Sequence, residues 1–101
     1  MPDNAMNAAF AAVLKTGDGL INHNIRIGKR RTSFRLDRLT WRLLYEIARR
    51  EDVTIHELCT AINAEKPRTL SLTVAVRVAV LQYFYDAATA SGHRSAGHGK
   101  N

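Results

Sequence analysis

The run Arg30-Arg31-Thr32-Ser33-Phe34-Arg35-Leu36-Asp37 decides the fold of this 101-residue chain. Its residues alternate in polarity, and in a β-strand alternate side chains point to opposite faces of the sheet. Phe34 and Leu36 therefore share an apolar face. The opposite face carries three polar side chains, those of Arg31, Ser33 and Arg35. The run predicts a short strand with one buried face and one basic face.

A single two-faced strand is unstable, because its backbone groups and its apolar face both need partners. The simplest partner is the same strand of a second copy, paired antiparallel about a two-fold axis. Such a ribbon would lay its apolar face on helices and present a row of arginines on the other side. Since a two-stranded ribbon fits the major groove of DNA, the pattern predicts a homodimer with an intermolecular sheet.

The residues before this run leave two alternatives open. Ile25-Arg26-Ile27 also alternates, and Gly28-Lys29 then interrupts the pattern. Gly28-Lys29 could form a two-residue hairpin turn with Gly first, or a bulge that bends one longer strand. We favour the bulge, because a basic hairpin this small has little to hold it. Whether Ile25–Ile27 joins the ribbon stays open.

Helix signals follow the strand. Asp37 is a good N-cap for a helix that begins at Arg38, and the order Thr54-Ile55-His56-Glu57 matches a capping box for a second helix. Ser71 can cap a third helix over Leu72–Ala88. The valines of this last segment alternate as in a strand, but its length, its interleaved alanines and the lack of a turn favour a helix. Because it is apolar nearly all round, we expect it to pack against its mate in a dimer.

The charge of the chain is concentrated in one region. The net charge is +6, and nine of the fifteen Lys and Arg residues fall between positions 26 and 50. A local positive field of this kind is typical of a nucleic-acid-binding face. We expect residues 25–88 to form the domain, residues 1–24 an N-terminal arm and residues 89–101 a disordered tail. Helical spacing within the arm, at Ala5–Leu14, fits either a frayed tail or a helix that docks on a partner.

Other function classes find little support in the sequence. The single cysteine, Cys59, excludes an intramolecular disulfide and fits a reducing compartment. The four histidines lack metal-ligand spacing, and the sequence has no phosphate-binding loop and no activated nucleophile. The longest apolar run, Leu72–Leu81, is too short to span a bilayer. We therefore expect a cytoplasmic binding protein that is not an enzyme and uses no cofactor, metal or membrane.

The run Arg31–Asp37, followed by Trp41-x-x-Leu44-x-x-Ile47-Ala48 and the helix entry Val53-Thr54-Ile55, resembles the ribbon-helix-helix family of DNA-binding proteins. It is most similar to the bacterial subgroup in which a Pro-containing loop follows the second helix. Here that loop contains Pro67, and Leu70-Ser71 and Arg77-Val78-Ala79-Val80-Leu81 come after it. The resemblance covers about residues 25–88. It implies a mainly α, ribbon-helix-helix fold with one short strand, as an intertwined homodimer with an intermolecular two-stranded antiparallel sheet, plus a third helix.

The resemblance also implies roles for individual residues. The groove-facing strand residues, Arg31, Ser33 and Arg35, would contact bases, as the alternation also predicts. The start of the second helix would hold a backbone phosphate through Thr54 and the amides of Ile55 and His56. Basic residues expected to contact further phosphates are Arg26, Lys29, Arg30 and Arg38. The residues expected in the dimer core are Phe34, Leu36, Trp41, Leu44, Leu58, Ile62, Val76 and Val80.

These features favour two functions, and a purely structural dimer that kept the fold and lost the groove contacts is a third alternative. The first is a homodimer that binds double-stranded DNA sequence-specifically, as a bacterial or phage transcriptional regulator such as a repressor. The alternative is a protein-interaction dimer, for example an antitoxin whose terminal segments hold a toxin. The two can coexist, because the chain ends lie outside the unit that would face DNA. Asp52 stands where the family usually has a turn glycine, and an aspartate adopts a left-handed conformation less easily.

Overall fold

The computed structural model describes residues 19–95, with side chains up to residue 90, and in addition Ala8 and Ala11. Two strands are followed by three helices: β1 (Leu20–Ile27), β2 (Arg30–Asp37), α1 (Arg38–Glu51), α2 (Ile55–Glu65) and α3 (Leu72–Ser95). The helix predicted over residues 5–14 lies outside the described residues, except that Ala8 and Ala11 are helical. The third segment is a helix, as predicted.

The two strands form a hairpin within one chain. β1 and β2 pair antiparallel, from Leu20 opposite Asp37 to Ile27 opposite Arg30. Gly28 and Lys29 form the turn between them, and Gly28 has φ +61°. Lys29 has an ordinary negative φ, so the turn fits the type II′ geometry that takes Gly at its first central position. The bulge that we favoured is not observed, and Ile25–Ile27 belongs to the sheet.

This hairpin corrects the predicted fold class. The prediction of one short strand, paired with the strand of a second copy in an intertwined homodimer, is wrong. β1 supplies from the same chain the hydrogen-bonding partner that β2 needs. The sheet and the three helices remain compatible with a ribbon-helix-helix fold. The first part of β1, Leu20–Asn24, was not predicted, because Asn22 and Asn24 are of a type depleted in strands and the polar His23 between them hides the alternation.

Each helix is preceded by a capping residue whose side chain accepts a hydrogen bond from one free amide of the first turn. The carboxylate of Asp37 accepts from the amide of Thr40 at 2.9 Å and from its hydroxyl at 2.7 Å. Thr54 accepts from the amide of Glu57, whose carboxylate in turn accepts from the amide of Thr54, so the predicted capping box is present. The hydroxyl of Ser71 accepts from the amide of Val74, as expected for a cap of α3. These bonds replace water at positions where the helix itself has no acceptor.

α1 ends with an aspartate in the left-handed conformation. Asp52 has φ 57° and ψ 47°, and its amide donates to the carbonyls of Ala48 and Arg49. The amide of Val53 donates to the carbonyl of Ala48 at 2.9 Å. These bonds satisfy the last carbonyls of α1 in the manner of a Schellman motif, which usually places glycine at this position.

The core lies between the inner face of the hairpin and the three helices. Side chains from all five elements are buried together, namely Ile25, Ile27, Phe34, Leu36, Trp41, Leu44, Ile47, Ile55, Cys59, Val76 and Val80. Six of the eight residues predicted for a dimer core are thus buried inside a single chain, and the other two, Leu58 and Ile62, pack against this cluster. Their burial in this structure requires no second copy.

Trp41 ties α1 to both strands. Its ring stacks on His23 with a centroid distance of 4.2 Å and on Phe34 at 5.3 Å. Its indole Nε1 donates to the carbonyl of Ile21 at 2.8 Å. Because His23 and Phe34 are cross-strand partners, one side chain clamps the inner face of the hairpin and fixes which face remains outside.

Candidate nucleic-acid interface

The outer face of the hairpin carries two rows of polar side chains. On β2 it presents the predicted base-contact residues Arg31, Ser33 and Arg35, all exposed. On β1 it presents Asn22, Asn24 and Arg26, also exposed. The alternation that predicted the β2 row therefore holds in the structure, and β1 adds a second row beside it. We call these six residues the outer face of the hairpin.

The register joins the two rows into three cross-strand pairs. Asn22 lies opposite Arg35, Asn24 opposite Ser33, and Arg26 opposite Arg31. Directly opposite residues in an antiparallel pair have Cβ atoms about 4.5–5.5 Å apart. The outer face therefore has two arginines at the turn end, short polar side chains in the middle and a third arginine at the far end.

Among the described residues, the guanidinium groups of this face have no bonding partner. Within residues 19–90, no hydrogen bond or ion pair involves the side chains of Arg26, Arg31 or Arg35. The contrast with α1 is clear, because Arg49 and Arg50 there bond the carboxylate of Glu46 at 2.7 and 2.9 Å. Arginines without an acidic neighbour keep their five donors for an external acceptor.

The residues predicted to contact phosphates lie near the two ends of β2. Lys29 lies at the exposed turn, Arg30 begins β2 and Arg38 begins α1, and all three are exposed. Arg26 is the exception, because the structure places it on the outer face itself, opposite Arg31. Arg26 and Arg31, together with Asn24, Ile25 and His56, line a cleft of about 220 Å³. The cleft brings one predicted base-contact residue beside two predicted phosphate contacts.

The start of α2 lies against the turn end of β1. The Nδ1 atom of His56 accepts a hydrogen bond from the amide of Arg26 at 2.9 Å. The hydroxyl of Thr60 accepts from the amide of Gly28 at 3.0 Å and donates to the carbonyl of Arg26 at 3.4 Å. The backbone at this end of the hairpin is therefore held by two side chains of α2.

The predicted phosphate site at the second helix is only partly exposed. Thr54 is exposed and caps the helix, the Ile55 side chain is buried in the core, and His56 is half-buried. At any helix start the first amides lack partners within the helix, which is the property that suits them to anions. A phosphate contact by Thr54, Ile55 and His56 stays a prediction.

Comparison with known families identifies the fold. A family model described as a ribbon-helix-helix domain matches residues 20–84. The chain belongs to the ribbon-helix-helix family. Ribbon-helix-helix domains generally bind DNA and dimerise, and their family comprises DNA-binding or antitoxin-like regulators. No curated protein and no solved structure gives a significant match to this chain.

The ribbon-helix-helix match begins at the first residue of β1 and ends within α3. The match therefore covers the hairpin, α1, α2 and the first part of α3, and it includes Asn22 and Asn24, for which the sequence alone predicted no role. Asn22, Asn24 and Arg26 alternate with inward-facing residues in the structure, but the inward-facing His23 is itself polar, so the residue types alone do not show this alternation. Thr60 was also missed, since its contact with Gly28 joins positions that lie far apart in the chain.

Three further features bear on this ribbon-helix-helix domain. Among the residues that the structure describes, no group of three His, Cys, Asp or Glu side chains could hold a metal ion. None of the described helices is both long enough and apolar enough to cross a membrane. Cys59 is fully buried, and burial raises the pKa of its thiol to about 11.

Proposed function

We propose that this chain binds double-stranded DNA sequence-specifically and regulates transcription in the bacterial cytoplasm. The observation that carries the proposal is the outer face of the hairpin, where Arg26, Arg31 and Arg35 are exposed and have no acidic partner among the residues that the structure describes. Membership of a family whose domains generally bind DNA supports the same function. We propose a binding role and not catalysis.

The dimensions of a hairpin suit the major groove. Paired strands lie about 4.7–4.9 Å apart, and the groove is about 12 Å wide, so a two-stranded ribbon enters with its side chains directed at the base edges. In this placement Arg31 and Arg35 would each donate two hydrogen bonds to a guanine, and Ser33 could bond several bases. Each good two-bond contact discriminates against a wrong base by about 1–3 kcal/mol.

Phosphate contacts would orient the hairpin without reading sequence. Lys29 in the turn, Arg30 at the start of β2 and Arg38 at the start of α1 are exposed, and we propose that they contact the phosphate backbones that border the groove. The start of α2 is a further candidate, through Thr54 and the amides of Ile55 and His56. Such contacts neutralise phosphates and release counterions, so they make binding depend on salt.

Selection from a random-sequence duplex pool tests the proposal. The full chain is incubated with the pool at low and at near-physiological salt, and the bound duplexes are sequenced. We expect one motif to be enriched at both salt concentrations. Binding that is salt-sensitive and enriches no sequence would contradict specific readout, because it would leave only the phosphate contribution.

A second observation favours a protein contact through α3. Val74, Val78, Leu81 and Tyr85 follow the 4-3-4 spacing of an apolar seam and lie opposite the buried side of the helix. Leu81 is 71% and Tyr85 65% exposed. We propose that two copies associate through this seam, since it carries no charge that would repel its own copy, and ribbon-helix-helix domains generally dimerise. In such a dimer, β1 and β2 of each chain would still pair with each other and not with strands of the other copy.

The mass of the protein in solution tests this association. Leu81→Lys places a charge in the seam, and we expect it to shift light-scattering mass toward that of a single chain. Leu39→Lys is the matched control, because Leu39 is an exposed leucine of α1, outside the seam. Equal masses for Leu81→Lys and the unchanged protein would contradict the proposal. A partner held by the chain ends, as in an antitoxin, stays a prediction, since those ends lie largely outside the described residues.

A further inference from the structure

Asn22 and Asn24 occupy positions that the hairpin itself does not explain. Both lie on the outer face of β1, both are exposed, and asparagine is among the residues that are depleted in strands. Within the described part of the chain, neither side-chain amide takes part in a hydrogen bond. Two poor strand formers therefore stand at alternate positions of a strand without stabilising it.

The two asparagines lie directly opposite predicted base-contact residues. Asn22 lies opposite Arg35 and Asn24 opposite Ser33, which are two of the three predicted base-contact residues. Opposite Cβ atoms lie only about 4.5–5.5 Å apart, so a base edge within reach of β2 is also within reach of β1. Asn24 and Ser33 form the middle pair and both are short, so the middle of the ribbon would approach the groove floor closely.

The carboxamide of asparagine selects a particular base. It offers one donor group beside one acceptor, and adenine presents the complementary pair, an N7 acceptor beside an N6 donor, in the major groove. Arginine offers only donors and instead matches guanine. The two rows of the outer face therefore differ in the base that they suit.

We propose that Asn22 and Asn24 read adenine in the same groove segment in which Arg31 and Arg35 read guanine. β1 is then a second reading strand, and not only a support for β2. This inference rests on the proposed DNA-binding function. Successive pairs along a strand face are about 6.8 Å apart, so the three pairs of the outer face span about 14 Å, the length of about four base pairs. Each hairpin would read a short element that mixes A·T with G·C pairs.

Threonine substitutions test the role of the two amides. Asn22→Thr and Asn24→Thr each replace the amide by a good strand former, so loss of folding cannot explain a loss of preference. On the motif enriched by the unchanged protein, we expect each variant to lose preference for adenine at its own position by about fivefold to a hundredfold. Preference at the guanine positions should remain. Leu20→Ala is the matched control, because Leu20 is exposed on the same face of β1 and has no polar group to lose.

The outcomes separate this inference from the function on which it rests. If both threonine variants keep the adenine preference while Arg35→Ala changes a guanine position, the inference is overturned and the DNA-binding function stands. If the enriched motif has no A·T pair within the four base pairs that one hairpin would contact, the inference is likewise overturned. If the unchanged protein enriches no motif, both the function and the inference fall.

Discussion

His56 accepts a hydrogen bond of 2.9 Å through Nδ1 from the backbone amide of Arg26, thirty positions earlier in the chain. The bond joins the start of α2 to the strand that carries half of the outer face. Together with Thr60, which accepts from Gly28, it holds the turn end of the hairpin against the helix. These hydrogen bonds to the backbone fix the position of the turn end of the outer face relative to α2.

Removal of this imidazole should loosen the hairpin locally. We expect His56→Ala to lower the free energy of unfolding by about 0.5–1.5 kcal/mol, the usual contribution of one hydrogen bond. Hydrogen exchange at the amides of Arg26 and Gly28 should accelerate more than exchange within α1. His56→Asn is the matched control, because its side-chain oxygen can stand where Nδ1 stands and restore protection. Unchanged exchange at Arg26 in His56→Ala would contradict the role of the bond.

Base contacts and phosphate contacts should respond differently to substitution. We expect Arg35→Ala to relax base preference at one position of the selected motif. Lys29→Ala should weaken binding to all duplexes alike and reduce the salt slope by about one unit. Arg68→Ala is the control, since Arg68 is an exposed arginine in the segment between α2 and α3. Small, equal effects from Arg35→Ala and Lys29→Ala on every duplex would count against specific readout.

The left-handed aspartate at the end of α1 offers a stabilising substitution. Asp52 has φ 57°, a conformation that costs a residue with a side chain about 1 kcal/mol relative to glycine. We expect Asp52→Gly to raise the free energy of unfolding by up to about 1 kcal/mol in urea denaturation. Gly28→Ala is the opposite case. Gly28 has φ +61°, so an alanine there should strain the backbone and lower the free energy of unfolding, although there is space for its Cβ atom. A less stable Asp52→Gly protein would show that the aspartate makes a compensating interaction.

The N-cap Asp37 should make stability depend on acid pH. Partial burial by itself would raise the pKa of Asp37, but the hydrogen bonds from Thr40 outweigh it and lower that pKa. The charged carboxylate therefore stabilises the folded chain above the pKa of the unfolded state, about 4, and this contribution is lost as pH falls through the folded pKa. We expect Asp37→Ala to lower the free energy of unfolding by about 1 kcal/mol at neutral pH.

Urea denaturation at pH 7 and at about pH 2.5 measures this dependence. The difference between Asp37→Ala and the unchanged protein should shrink at the lower pH, because this pH lies below the pKa of the unfolded carboxyl and part of the contribution of the charge is then lost. Glu65→Ala provides the control, because Glu65 is an exposed carboxylate at the end of α2. An equal difference at both pH values would show that the charge of Asp37 does not contribute.

Cys59 should be unreactive in the folded chain. Its side chain is fully buried, and burial raises the pKa of the thiol to about 11, so very little thiolate exists at neutral pH. We expect Ellman's reagent to react with Cys59 at least about a hundredfold more slowly in the folded protein than in urea. Ala61→Cys supplies an exposed thiol on the same helix and should react at once. Rapid reaction of Cys59 without urea would contradict its burial.

Local signals predicted several elements of this fold. The alternation of β2, the N-cap Asp37, the capping box Thr54–Glu57 and the cap Ser71 involve residues no more than a few positions apart. Each is a contact between near neighbours, and the residue types alone specify it. The exposed position of Arg31, Ser33 and Arg35 followed from the same alternation.

Contacts between distant positions could not be predicted in this way. The partner of β2 was assigned to a second copy, because Asn22, His23 and Asn24 weaken the strand signal of β1. Secondary-structure propensity also did not indicate that Trp41 would stack on His23 or that Thr60 would accept a hydrogen bond from the turn. Tertiary packing overrides weak local preference at these positions, and it determines which residues share the outer face.

Because both strands of the sheet belong to one chain, the hairpin can form without association of two copies. Pairing of β1 with β2 is a unimolecular step, so its equilibrium does not change with protein concentration, whereas association of two copies does. On dilution, the outer face would remain formed even where a contact through α3 dissociates. If the chain binds DNA as proposed, occupancy of a single element far below saturation would then rise in proportion to the number of chains, and a steeper response would arise only where two elements lie side by side.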